Sequence, residues 1–367
     1  MTILYILLAV FVFGLLIFVH ELGHFLFARL FGVKIFEFAI GMGPRIAWYR
    51  SKKTGIFYSL RAIPFGGFVS MAGELTDLED ENLPEEAKEV FPGDEKRGPL
   101  ASKPAWQRLI VHVAGAAMNL LVGFVIVAVM TASLPANRLG TTQVTYFDPP
   151  VEGVPSSREQ GLMIGDEIVK VGNVRVHIAD ELSYQILHQG GGDDPIVLTV
   201  LRDGNEIELP IVFPIMQESG QNFGSTDFYV GPVAEKTFGV VVEQAFYKAL
   251  GNVTMVWDSL IDMITGRYTL EAVSGPIGTA GVITDAAKSG NAEYLFSLVA
   301  LITINLGVFN LLPVPALDGA HILYTLIEMI TRKKPPAKFI QVVDTVGLVL
   351  LLGLMVVITF QDVMRLF

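Results

Sequence analysis

Four stretches of the chain are continuously apolar, and the segments between them alternate or turn polar. Thr2 to Val19 is a run of eighteen uncharged, mostly apolar residues. At ~1.5 Å per residue a helix of that length rises ~27 Å, close to a full hydrocarbon core. Its apolar character continues past His20–His24 to Phe31. No positively charged segment precedes it and no small-residue cleavage site follows, so the pattern predicts one long retained helix rather than a signal peptide. A second stretch runs from Trp106 to Leu134, a third from Tyr294 to Ile330, and a fourth from Val342 to Phe360. Four spans are therefore predicted. Pro313 and Pro315 interrupt the third, because neither can donate to the helical ladder. A broken helix survives in a membrane only where protein or a water-filled cavity satisfies the freed carbonyls.

Shorter periods fill the gaps. Ile35–Gly73 is rich in Gly, Phe and β-branched residues and reads as short strands, with Gly41, Gly43, Gly66 and Gly67 as breaks. Glu74–Arg97 is acidic and Pro-containing, and predicts a mobile, solvated loop. Thr141–Phe213 carries strand-like runs at Glu167–Val171, Ile196–Arg202 and Glu206–Val212, with turn signals at Gly172-Asn173 and Asp203-Gly204, which predicts a compact β-rich domain. Beyond it, Phe246, Leu250, Val253, Trp257, Leu260, Ile261 and Ile264 share one helical face. That face suits the bilayer surface or a protein core equally. The organisation expected is an N-terminal half of a membrane core over residues 1–135, a β-rich insert over 136–215, a linker with an amphipathic helix over 216–270, and a C-terminal half over 271–367.

Composition sharpens this picture. Of 367 residues, 51% are hydrophobic and 17% charged, against about 25% charged in an ordinary soluble chain. A net charge of −11 excludes the clustered basic face of a nucleic-acid binder. With no cysteine there is no disulfide framework and no thiol chemistry, so any metal must sit on His, Asp or Glu. Arg332, Lys333, Lys334 and Lys338 crowd the loop after the third span, and Arg45, Arg50, Lys52, Lys53 and Arg61 follow the first. The bias of Lys and Arg toward the cytoplasmic side puts both loops there, and both termini and the long Pro135–Glu293 segment outside.

The chemistry lies in the first span, in His20-Glu21-Leu22-Gly23-His24. Residues four apart share a helical face, so both imidazoles can reach one ion while Glu21 takes a proton from the attacking water. Ionisable groups cost ~2.5–3.5 kcal/mol each at mid-span, so three of them on an apolar helix need compensation. The bland alternative has His20 and His24 at the interface and Glu21 snorkelling to water. A catalytic zinc takes three protein ligands and keeps the fourth position open. Asp318 is the best third candidate, being the only acidic residue between Tyr294 and Ile327 and placed where a helix would restart after the prolines. His321, one turn on, is a rival ligand or a group that orients a ligand from behind. His112 could face the bundle interior, and His177 and His188 read as surface residues. Two imidazoles and a carboxylate suit zinc, and also iron or cobalt.

With His20-Glu21-Leu22-Gly23-His24 and Leu317-Asp318-Gly319 in place, the chain resembles the site-2 protease family of intramembrane zinc metalloproteases, most closely its bacterial RseP-like type (regulators of sigma-E). Gly66-Gly67-Phe68-Val69 resembles that family's membrane-reentrant β element, and Ala114-Gly115-Ala116-Ala117-Met118-Asn119 its second-span Ala-Gly-Pro-x-x-Asn motif, with Ala116 in place of proline. Ser274-Gly275-Pro276-Ile277-Gly278 resembles a Gly-Pro-Ile-Gly element ahead of the third span, and Gly161–Val171 is similar to the core strand-turn of a PDZ domain. Some relatives carry two PDZ domains; this chain shows one such signature.

The resemblance implies a polytopic α-helical membrane protein of four spans with a reentrant β element and an inserted PDZ-like domain. It implies Zn2+ on His20, His24 and Asp318, Glu21 as general base and acid, and Asn310, Gly67 and Phe68 as substrate-binding positions. It implies cleavage of transmembrane protein substrates, anti-sigma factors and signal-peptide remnants among them, in the bacterial inner membrane. The lipid bilayer is the other partner and nucleic acid is none. Both termini and the PDZ-like domain would be extracytoplasmic and the metal site would lie toward the cytoplasmic side. A reading from a different class remains open: a catalytically inactive scaffold that binds extracytoplasmic peptides through its PDZ-like domain.

Overall fold

The computed structural model describes residues 2–73, 96–150, 153–154, 156–192, 194–218, 221–267 and 274–365. The acidic loop read at Glu74–Arg97 lies outside these apart from Lys96 and Arg97. The chain divides into two compact units, one built from Met1–Ile126 with Met255–Phe367 and the other from Val127–Thr254.

In the first unit, helix α1 spans Thr2–Leu30. It stops because Gly32 takes a left-handed φ of 67° and the Val33 N–H turns back onto the Ala28 carbonyl at 2.8 Å. Strand β1 (Ile35–Arg50) and strand β2 (Phe57–Met71) follow. These are two long strands rather than several short ones. Left-handed glycines at 41, 43 and 66 bend them without ending them. Glu37–Ile40 pairs with Phe57–Leu60 on one side and with Gly67–Ser70 on the other. Among the described residues Gly67–Ser70 therefore forms an outer edge of the sheet. Phe38 anchors the sheet on α1, its ring 5.7 Å from Phe18 and 5.4 Å from Phe25. Phe25, Val33, Ile35, Val69 and Val111 close the core around it.

Helix α2 (Ala105–Ser133) packs antiparallel to α1 at close range, since a Cβ at Gly23 would overlap the Ala114 carbonyl.

The second unit carries β3 (Gly140–Phe147), β4 (Glu167–Val171), β5 (Val174–Arg175), helix α3 (Ala179–Gln189), β6 (Ile196–Arg202), β7 (Asn205–Ile211), β8 (Ile215–Glu218), β9 (Gln221–Gly224) and β10 (Phe228–Pro232). Its main sheet runs β10-β3-β4-β6-β7, with β5 on β4, and β8–β9 forms a separate hairpin. The outer strand β10 comes from the stretch read as linker, where a five-residue strand is too short to show a period. Leu162, Ile168, Leu182, Ile186, Leu198, Val200 and Phe213 fill the core, each contributing roughly 1.5–3 kcal/mol on full burial. The Gly161–Asp166 turn is locked by Arg202, whose Nε donates to Asp166 Oδ1 at 2.7 Å and whose Nη2 donates to the Gly161 carbonyl at 2.8 Å.

Helix α4 (Phe238–Thr265) begins in the second unit and ends in the first. Helices α5 (Pro276–Lys288), α6 (Ala292–Leu311), α7 (Asp318–Thr331) and α8 (Ala337–Met364) complete the first unit. The Asp362 carboxylate on α8 accepts N–H bonds from Gly275 and Gly278, so one helix caps the N-terminus of another. Four helices are long and apolar enough to cross a membrane: Leu4–Leu30, Ala105–Ser133, Ala292–Leu311 and Ala337–Met364. On α8, Val349, Leu350 and Val356 are each about two-thirds exposed, a surface that lipid solvates and water does not. These are the elements of a polytopic membrane protein.

Candidate metal centre

The prolines act on α6 and α7 as their chemistry requires. The helix ends at Leu311, Leu312 is extended, and a new helix opens at Asp318. Ala316 sits at a φ of 68°, a left-handed conformation uncommon for a residue with a Cβ. The turn is braced from α8, where the Asp344 carboxylate faces the Ala316 N–H at 3.5 Å and accepts from the Tyr324 hydroxyl at 3.3 Å. At Gly347, one turn on, a Cβ would overlap that of Pro315.

This turn delivers Asp318 to α1. Asp318 Oδ2 lies 3.0 Å from His20 Nε2 and 3.1 Å from His24 Nε2, and the two imidazole nitrogens are 3.2 Å apart. His20, Glu21 and His24 are all buried. Zinc bonds of ~2.0–2.1 Å imply about 3.3 Å between ligand atoms at tetrahedral corners. Three donors at 3.0–3.2 Å thus have the chemistry and nearly the spacing of one zinc site. His20, His24 and Asp318 are the metal-competent cluster among the described residues.

Helix α2 stands directly behind both rings. His24 Nδ1 lies 2.8 Å from the Val111 carbonyl, which accepts its proton and leaves Nε2 facing the cluster. His20 Nδ1 meets the Asn119 side-chain amide at 3.3 Å. Between them a Cβ on Gly115 would overlap His24 Nε2. Val111, Gly115 and Asn119, four apart, form one stripe against the pair of histidines four apart on α1.

The sheet edge reaches the same place. A Cβ on Gly67 would lie 2.9 Å from Glu21 Cγ and 2.8 Å from Ile17 Cγ2, so only glycine fits. Phe68, next along, carries the Arg61 guanidinium over its ring at 4.7 Å. Asn310 donates from Nδ2 to the Leu306 carbonyl of its own helix at 2.9 Å. His321 does not join the donor triangle; it stacks on His112 with ring centroids 5.1 Å apart, and its Nε2 is 3.7 Å from Asp344 Oδ2. In the second unit His177 stacks on Tyr247 and His188 on Tyr184.

Sequence reasoning missed Val111 and Asp344, and singled out Gly115 and Asn119 only as members of a second-span motif, without placing them at this site. It missed Glu37 as well, a buried carboxylate that gathers Arg45 (2.6 Å), Arg61 (2.8 Å) and the Ser59 hydroxyl across the β sheet. A charged position inside an apolar, β-branched run was the available signal at Glu37 and at Asp344.

Comparison with known proteins gives the same frame. The model of peptidase family M50 matches residues 8–354. A Clostridium perfringens protein whose name carries the words zinc metalloprotease is 36% identical over 365 residues, 98% of each chain. The zinc metalloprotease RasP of Shouchella clausii is 27% identical, covering 97% of this chain and 98% of its own. The regulator of sigma-W protease RasP of Bacillus subtilis is 28% identical over 97% of each. The helices, the donor cluster and these relatives agree that the chain belongs to peptidase family M50, the site-2 proteases, and is a zinc metalloprotease.

Proposed function

We propose that the protein is an intramembrane endopeptidase that cuts transmembrane segments of client proteins, with His20, His24 and Asp318 holding the zinc and Glu21 moving the proton. The observation that carries this reading is a three-donor cluster, joined by a buried carboxylate, whose two histidines and Glu21 lie on a helix apolar enough to span a bilayer. When bound, zinc supplies the positive charge that activates water and stabilises a developing oxyanion. Glu21 accepts a proton from the attacking water and passes it to the amide nitrogen that leaves, so the peptide C–N bond breaks as a C–O bond forms.

A transmembrane helix hides its amides in internal hydrogen bonds, so it must unwind locally before it can be attacked. The Gly67–Ser70 edge beside Glu21 offers unpaired backbone groups to such a strand, with Gly67 and Phe68 as the contact positions and Asn310 as a further holding group. The clients are transmembrane proteins, anti-sigma factors and signal-peptide remnants being the two classes singled out; a relative named as a regulator of sigma-W protease supports the first. The basic loops around Arg45–Arg61 and Arg332–Lys338 favour an inner-membrane topology with both termini and the β-rich insert outside. That insert, read as PDZ-like, screens clients whose outer domains are still attached.

The test is cleavage of a model transmembrane substrate by purified protein. Glu21→Gln keeps its zinc and loses activity by at least the ~10²–10⁴-fold that general acid–base catalysis contributes. Equal processing by wild type and variant removes the reading, and no processing by either leaves the inactive scaffold standing.

A further inference from the structure

Among the groups around the histidines, one is wholly buried and incompletely bonded. Asn119 is 0% exposed, and its side-chain oxygen has no hydrogen-bond partner among the described residues. Its amide nitrogen instead faces His20 Nδ1 at 3.3 Å. That contact is a hydrogen bond only while His20 carries its proton on Nε2, where it donates toward Asp318 Oδ2 at 3.0 Å. A cation on Nε2 requires that nitrogen's lone pair, so the proton of the neutral ring must sit on Nδ1. An amide nitrogen would then confront an N–H, donor against donor.

We propose that Asn119 is the positioning residue of His20: its amide turns over so that the side-chain oxygen accepts the Nδ1 proton and holds the ring in its metal-ready tautomer. The two amide orientations have the same shape, so the turn needs no room that the nitrogen does not already occupy. It replaces a donor–donor contact with a hydrogen bond to the ligand, the arrangement that raises the basicity of a metal-binding imidazole. The counterpart on His24 is already formed, its Nδ1 lying 2.8 Å from the Val111 carbonyl. One face of α2 thus sets both tautomers, through a backbone oxygen at Val111 and a side-chain oxygen two turns later at Asn119. The inference rests on His20 being a zinc ligand.

Zinc affinity of the full-length protein in detergent, measured by competition with a chromophoric chelator, separates the possibilities. Asn119→Leu, of similar size but without a hydrogen bond, is expected to bind zinc about 10- to 100-fold more weakly. Asn119→Asp, which offers only acceptor oxygens, is expected to stay within a few-fold of wild type. Leu at wild-type affinity, or Asp as weak as Leu, overturns the proposal; the second result would mean the amide acts as a donor. His20→Ala binding zinc like wild type would instead overturn the ligand assignment beneath it. Should Asn119→Leu fail to fold, NMR of zinc-loaded, histidine-labelled wild type decides: a His20 Nδ1 proton at the downfield shift of a hydrogen-bonded imidazole is expected, and one at the shift of an unbonded N–H refutes.

Discussion

Gly115 shows how much of the site is decided by an atom that is missing. A Cβ there would overlap His24 Nε2 and come within 2.8 Å of His20 Cε1. Gly115→Ala should therefore push α2 off α1 or rotate the rings, and lower zinc content and proteolysis together while the β-rich domain stays folded. Retained zinc with retained activity would show that the rings can yield. The residues of the donor cluster were legible from the sequence. Two histidines four apart must share a helical face, and a single acidic residue in a proline-broken apolar span has few other uses. Their supports were not legible. Val111 acts through its backbone, which carries no residue code, and Asn119 matters only once the register of α2 against α1 is known. Gly67 was read for its part in a strand edge, but its contact with Glu21 depends on tertiary packing.

At the scale of elements, α8 is more than an anchor. Its Gly347 lies against Pro315 and its Asp344 meets the Ala316 N–H, so α8 braces the turn that presents Asp318. Gly347→Leu should displace that turn and reduce zinc occupancy, although the substituted position touches no ligand. Unchanged occupancy by metal analysis would mean the turn is held elsewhere. The β sheet has its own clamp. Glu37→Ala would remove the carboxylate that Arg45 and Arg61 share, a loss on the order of 1.5–3 kcal/mol. The expected result is impaired cleavage with zinc affinity preserved, since none of the three touches the donor triangle; loss of zinc would tie the sheet to the metal instead. Among the described residues, hydropathy located the four helices long and apolar enough to span a membrane, and the break before Asp318. It read β1 and β2 as short strands because their glycines interrupt the alternation. In three dimensions those glycines bend each strand and let it continue.

For the whole molecule, the donor cluster lies in one unit and the β3–β10 strands in the other. Strands β4, β6 and β7 were legible from alternation and from the Asp203-Gly204 turn, whose residues both take positive φ. The closing strand β10 was not. The domain also carries an acid-sensitive lock. Burial pushes the Asp166 carboxyl up, but hydrogen bonds from Arg202 and the Met163 N–H outweigh it and hold its pKa below the ordinary value. A depressed folded pKa stabilises the fold fully above the unfolded value of about 3.9, and that contribution is lost as pH falls through the folded value. Thermal unfolding of the domain should thus drop steeply below about pH 4. Asp166→Asn should cost about 1.5–3 kcal/mol at neutral pH and flatten that acid response; an unchanged pH profile would mean other carboxylates set it. Deleting Thr141–Phe213 should widen the set of clients cleaved if the insert screens them, and unchanged selectivity would remove that role.

The most direct test of the account is the zinc content of purified full-length protein across four chains: wild type, His20→Ala, Asp318→Ala and Glu21→Gln. Stoichiometric zinc is predicted in wild type and Glu21→Gln, with strong depletion in the other two. Full zinc in Asp318→Ala would contradict it, because the ion would then not be shared between α1 and α7.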